Sequence, residues 1–223
     1  MIYDFSNFIV DDSNKEAYDF FKTFSIKNNQ QVKIYLYSES SYGKTHLLRS
    51  LEKDINKQNN KKAIYVSVEK LVSDIVNKED INKYNDVNIL IIDDFQFIDN
   101  HIEIQKKIFN IIDQCTSKGN SVIISSDVSI DKFKSINEQL NEYLNDSKII
   151  KIDKPNKKIK ELYLTNKIKE YDLNLDKESI NLLLNIKNLR DIDFILCRLK
   201  EYKNELTLEL LKNLINEYEN GIY

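Results

Sequence analysis

Between residues 32 and 152, short runs of β-branched and aromatic residues alternate with stretches whose apolar positions recur every three to four residues. The runs at 32–37, 63–68, 87–92, 121–125 and 148–152 read as strands, and 44–59, 69–77, 102–117 and 131–145 read as helices. Continuous apolar runs separated by helices predict parallel strands buried on both faces. Five in succession predict a three-layer α/β unit around a five-stranded parallel sheet. After Pro155 the strand-like runs stop. Ile159, Leu162 and Tyr163 form one helical stripe, Ile192, Ile195, Leu196 and Leu199 a second, and Leu206, Leu210, Leu211, Leu214 and Tyr218 a third. The expected organisation is an α/β domain over residues 1–154 and a small all-α domain of three or four helices over 155–223.

Composition narrows the class. The chain has 223 residues, 41% hydrophobic and 31% charged, with a net charge of −3, as in a folded globular protein. That balance argues against a surface built for sequence-independent DNA binding. No run is long enough for a membrane span and no signal-peptide core is present, so no membrane association is expected. Two cysteines without metal-type spacing point to a cytoplasmic protein. Six lysines between 148 and 160, against the single acid Asp153, form either a solvated face or a contact for nucleic acid or an acidic partner.

Glycine is scarce, with only Gly43, Gly119 and Gly221, and Gly43 directly precedes Lys44-Thr45. Residues 34–48 read as a strand, a polar loop and a helix start, the setting of a phosphate-binding loop, although Ser38 stands where that pattern has its first glycine. The backbone N–H groups of Ser41, Tyr42, Gly43, Lys44, Thr45 and His46 would face a phosphate. Lys44 would neutralise its charge and the Thr45 hydroxyl would hold Mg²⁺. The aliphatic run at 87–92 ends in Asp93-Asp94. Carboxylates at the end of a parallel strand beside such a loop suit metal binding and water activation, which assigns Asp93 to the Mg²⁺ shell and Asp94 to the attacking water. Asp127, at the end of the next strand, either positions water near the terminal phosphate or caps a helix. Arg190 offers a planar fork for phosphate oxygens, or else a surface ion pair with Asp191 or Asp193.

Taken together these segments resemble the ATPase domain of the DnaA replication initiators, within the AAA+ family. The likeness runs from Tyr3-Asp4-Phe5-Ser6-Asn7-Phe8-Ile9-Val10 and Ser13-Asn14 through Tyr42-Gly43-Lys44-Thr45-His46, residues 65–70, 91–97 and 122–127, to Asn188-Leu189-Arg190-Asp191. It implies ATP or ADP with Mg²⁺ as ligand, with Phe8, Ile9 and Asn14 near the base. It also implies a helical lid whose Arg190 reaches the phosphates.

The departures carry further expectations. Ser38, Glu39 and Ser41 replace family glycines, and residues 136–144 hold no arginine where the family has an arginine finger. Weak ATP hydrolysis at most is therefore expected. The segment between Lys70 and Asn88 is shorter than the one in which the initiators carry helices for single-stranded DNA. No helix-turn-helix follows the lid, so direct binding to duplex DNA is not expected. The resemblance implies a role in replication initiation through protein contact with DnaA, the replicative helicase or the sliding clamp, in the manner of Hda-type regulators. A nucleotide-free scaffold and a helicase loader are the alternatives.

Overall fold

The structure, a computed structural model, describes residues 3–27, 30–203 and 205–221. It divides into two compact units, residues 1–154 and 155–223. In the first, the elements in chain order are α1 (Lys15–Lys27), β1 (Lys33–Tyr37), α2 (Lys44–Asn56), β2 (Ala63–Ser67), α3 (Val68–Val76), β3 (Ile89–Asp93), α4 (Ile102–Ser117), β4 (Ser121–Ser126), α5 (Glu138–Asn145) and β5 (Lys148–Lys151), with short 3₁₀ turns between them. The strands form one sheet in the order β2-β3-β4-β1-β5, and every pair is parallel.

The alternation along each strand builds two cores. Tyr35, Leu90, Ile92, Val122 and Ile124 face one side, where they pack with Leu71 of α3, Ile108 and Ile112 of α4, and Leu140 and Leu144 of α5. Ile34, Leu36, Ile89, Ile91 and Ile123 face the other, against Ala17 and Phe21 of α1 and Leu47, Leu48 and Leu51 of α2. Each fully buried aliphatic or aromatic side chain contributes about 1.5–3 kcal/mol, so the middle strands are held chiefly by this two-sided burial.

Two elements differ from the sequence reading. A helix, α1, precedes β1; its stripe of Ala17, Phe21 and Phe24 is buried. The helix expected over 131–145 is confined to its second half. Asp99 accepts the backbone N–H groups of Lys134 and Ser135, and the Gln105 carboxamide accepts that of Asn137. These long-range bonds hold residues 133–137 outside a helix until Asn137 caps α5 at Leu140.

In the second unit the described residues form four helices, α6 (Lys157–Tyr171), α7 (Lys177–Asn185), α8 (Leu189–Glu201) and α9 (Leu208–Glu219). They bury Leu164, Leu183, Ile192, Leu196, Leu199 and Leu211 in a core of their own. The stripes expected on α6, α8 and α9 lie on those helices except for Leu206, which precedes the Thr207 cap of α9 and packs on the core from the loop, and Leu162 remains exposed. α7 carried no stripe in the sequence reading. Among the described residues no helix is long and apolar enough to cross a membrane.

Candidate functional site

Parallel pairing carries the C-terminal ends of β1, β3 and β4 to one edge of the sheet. Tyr37 is level with Ser126, and Ser67 of β2 is level with Asp93. The loop of residues 38–43 leaves β1 at this edge and enters α2. Ser38, buried, donates its backbone N–H to the Ser126 carbonyl and anchors the loop to β4. Two residues in the loop adopt the left-handed region, Ser41 at φ 68° and Gly43 at φ 100°. Successive reversals of backbone hand turn N–H groups toward one concavity, the geometry of an anion nest. Among the described residues, the backbone N–H groups from Ser40 to Thr45 have no acceptor in the protein. Three of the six belong to the last loop residue and the first turn of α2, whose helix dipole adds positive potential.

Lys44 is buried, and its ammonium donates to the Ser38 carbonyl at 3.0 Å, the Ser38 hydroxyl at 3.0 Å, the Glu39 carbonyl at 3.3 Å and Asp127 Oδ1 at 2.6 Å. Asp127 is thus the counter-ion of the loop lysine. It does not cap the following 3₁₀ turn, whose N-cap position is Ser129. Glu39 is exposed, and its carboxylate accepts the Tyr42 hydroxyl at 2.8 Å; burial and that carboxylate push the Tyr42 phenol up to about 12.

Asp93 is fully buried and accepts four hydrogen bonds. Oδ2 takes the Thr45 hydroxyl at 2.8 Å and the Tyr65 hydroxyl at 2.5 Å; Oδ1 takes the Ser125 hydroxyl and, at 3.0 Å, the Asp94 N–H. Burial and the Asp93 charge push the Tyr65 phenol up. Asp94 sits in the left-handed region at φ 62°, and burial followed by the charge of Asp93 raises its carboxyl above the ordinary range, the direction that suits a proton acceptor. Gln96 links the two strand ends, donating to Asp94 Oδ1 at 3.3 Å and accepting the Asp127 N–H at 3.0 Å.

The residues expected near a base lie in the segment before α1. Phe8 stacks on Tyr18 with ring centres 5.8 Å apart and meets the edge of His46 at 5.2 Å. Asn14 is buried, and both ends of its amide are used within the loop: it donates to the Ile9 carbonyl at 2.9 Å and accepts the Asp11 N–H at 3.0 Å. Asn14 therefore shapes the loop of Ile9. His46 Nε2 lies 3.0 Å from the Asp4 carbonyl and 2.9 Å from Asn7 Oδ1, fastening this segment to the first turn of α2. Arg190, in the second unit, is exposed at the second position of α8. Among the described residues it forms no ion pair; Asp191 accepts the Tyr218 hydroxyl, while Asp193 accepts the Tyr171 hydroxyl and pairs with Lys167.

Lys44, Thr45, Asp93, Asp94 and Asp127 are thus brought together in the first unit. Tyr65, Ser125 and Gln96 complete the arrangement without having been singled out. Each lay inside a segment quoted for its resemblance, but no local spacing marks a residue that acts across strands.

A phosphate-loop lysine and threonine facing acids at the ends of two parallel strands, on a sheet ordered β2-β3-β4-β1-β5, define a P-loop domain of the AAA+ class. The chain belongs to the bacterial DnaA ATPase domain family, whose model matches residues 1–151. It is 29% identical over 230 residues to the chromosomal replication initiator protein DnaA of Campylobacter jejuni, covering 96% of this chain and 52% of that protein. Among solved structures, AMPPCP-bound DnaA from Aquifex aeolicus matches with a TM-score of 0.77 and 28% identity, over 89% of this chain and 64% of that one. Domain III of the Thermotoga maritima DnaA matches with a TM-score of 0.84 over 96% of both chains, and at 23% identity this is a likeness of fold. The chain spans about half the length of the curated relatives it matches.

Proposed function

We propose that the α/β unit binds ATP or ADP with Mg²⁺ at the loop of residues 38–45, and that the protein acts in or regulates initiation of chromosomal replication through contacts with protein partners. The observation that carries this reading is the run of unpartnered N–H groups from Ser40 to Thr45 beside the Lys44 ammonium and the Thr45–Asp93 pair. Phosphate oxygens supply the acceptors that this run lacks. Among the described residues no cluster of three His, Cys, Asp or Glu side chains suits a metal by itself. Thr45 and Asp93 fit a Mg²⁺ that draws its remaining ligands from phosphate and water, the usual manner of that ion. Bound there, it would neutralise phosphate charge. Asp94, with its raised carboxyl, would orient water, and Asp127 would stand where the terminal phosphate approaches Lys44.

Hydrolysis under this reading is slow. The α5 segment carries no arginine to lend to a neighbouring nucleotide, and such a finger is worth about 10³–10⁵ in turnover. DnaA itself, the replicative helicase and the sliding clamp are the partners proposed. The bound form of Aquifex aeolicus DnaA with AMPPCP supports an adenine nucleotide as the ligand class. A second reading, a scaffold that has lost its nucleotide, is favoured by one observation: the Lys44 ammonium is already saturated by Ser38, Glu39 and Asp127.

Mass spectrometry of small molecules released when freshly purified protein is denatured separates the two. ATP or ADP at close to one per chain is expected. Protein that releases none, and takes up none on incubation with excess nucleotide and magnesium, supports the scaffold.

A further inference from the structure

Tyr65 has no role in the nucleotide reading so far, yet its hydroxyl is bound to the same Asp93 oxygen that receives Thr45. The two donors lie 2.5 and 2.8 Å from Oδ2, one from the edge strand β2 and the other from the first turn of α2. A carboxylate that is fully buried has no solvent to orient it, so its donors decide which lone pairs remain available and in what direction.

The tyrosine is itself strapped in place. The guanidinium of Arg49, one turn beyond Thr45 on α2, lies 3.6 Å from the centre of the Tyr65 ring. Arg49 donates to Glu52 Oε2 at 3.1 Å, and Glu52 Oε1 accepts the Tyr65 backbone N–H at 3.0 Å. Arginine occurs three times in the chain, at 49, 190 and 198, so one of the three is spent on holding this ring. A stacked guanidinium also polarises the phenol toward donation. The result is a closed path from α2 through Arg49, Glu52 and Tyr65 back to Asp93 and Thr45.

We propose that Tyr65 is a positioning residue for the magnesium-bound form of the site: its hydroxyl fixes the Asp93 carboxylate against Thr45 so that the pair serves a divalent ion. The proposal rests on the nucleotide reading above and adds to it a residue outside the loop and the strand-end acids. Its consequence is specific to the metal. Partners that orient metal ligands are worth about 10–100-fold in metal affinity, whereas the loop amides and Lys44 meet the phosphates directly and do not depend on Tyr65.

The test compares the dissociation constant for ATP in millimolar Mg²⁺ with that in excess EDTA, by calorimetry, for the wild type, Tyr65→Phe, Arg49→Met and Lys44→Ala. Tyr65→Phe removes one oxygen and keeps the ring. It is expected to reduce the advantage that magnesium confers by about tenfold and to leave the EDTA value within about twofold of wild type. Arg49→Met keeps the hydroxyl but loses the stacked cation; it is expected to reduce the same advantage by about two- to fivefold.

Equal weakening in both media, or no change in either, overturns the proposal. If Tyr65→Phe does not fold, an unchanged magnesium advantage in Arg49→Met overturns it instead. Wild-type binding that magnesium does not affect also overturns it while leaving nucleotide binding intact. Failure of the underlying reading looks different: wild type and Lys44→Ala are then indistinguishable in both media.

Discussion

Phe8 lies against Gly43 at the point where a side chain on residue 43 would begin. A Cβ placed there falls 2.9 Å from Phe8 Cε2 and 3.2 Å from Cζ, and the backbone stands at φ +100°. Phe8 cannot easily withdraw, since Tyr18 and His46 pack on it. The segment before α1 therefore braces the phosphate loop directly.

Gly43→Ala is expected to lower stability to urea by about 2 kcal/mol, of which roughly 1–2 comes from forcing an L-residue into the left-handed region and the rest from the ring. In a Phe8→Leu background the ring contribution should shrink while the backbone contribution stays. A double-mutant cycle reads the difference as a coupling energy. Identical costs in the two backgrounds would show that the contact carries no weight.

Asp127 and Lys44 make a second testable pair. The ammonium side chain is 5% exposed and the carboxylate 30%, with 2.6 Å between them. Loss of one partner from a fully buried pair costs about 3–5 kcal/mol, and the half-open carboxylate reduces this to about 1–3. Asp127→Asn should be destabilised by that amount without ligand. With saturating ATP and magnesium the deficit should narrow, because phosphate replaces the lost charge. A deficit of the same size with and without nucleotide would count against phosphate reaching Lys44.

Two aspartates should respond to pH in opposite ways. Lys70, Lys83 and Tyr84 hold the buried Asp74 carboxyl well below the usual range. A depressed native value gives stability that is present above the unfolded value, near 4, and lost as pH falls through the native one. Asp74→Asn should be less stable than wild type at pH 7, with the gap closing below about pH 4.

Asp94 is raised by burial and by Asp93, so its ionised form costs stability above its native value. Asp94→Asn should gain stability at pH 7, and the gain should fade as pH falls toward about 4. Urea melts at pH 7, 5 and 3 check both signs. A parallel response of the two variants would contradict the assignment.

Much of this was legible in the chain. The strands announced themselves because a parallel sheet covered on both faces needs continuous apolar runs, as in residues 89–92 of β3, all four of which are buried. Gly43-Lys44-Thr45 and Asp93-Asp94 were legible for a related reason: loop and strand-end chemistry is local in sequence. The start of the helix expected over 131–145 was not, because Asp99 and Gln105 hold residues 134–137 out of it from about 30 residues away. Tyr65, Ser125 and Gln96 escaped notice on the same ground. Their value lies in register, Ser67 beside Asp93 and Ile92 beside Ile124, which only the assembled sheet creates. Resemblance set Asn14 near a base, and the structure gives both ends of its amide to the backbone of its own loop.

The measurement that bears most directly on the central claim is a calorimetric titration of wild type and Lys44→Ala with ATP and with ADP in the presence of magnesium. The account predicts one site per chain in the wild type, with affinity lowered at least tenfold when the ammonium is removed. Wild-type heats no larger than those of Lys44→Ala would mean that the loop before Thr45 does not hold a nucleotide, and the reading would be wrong.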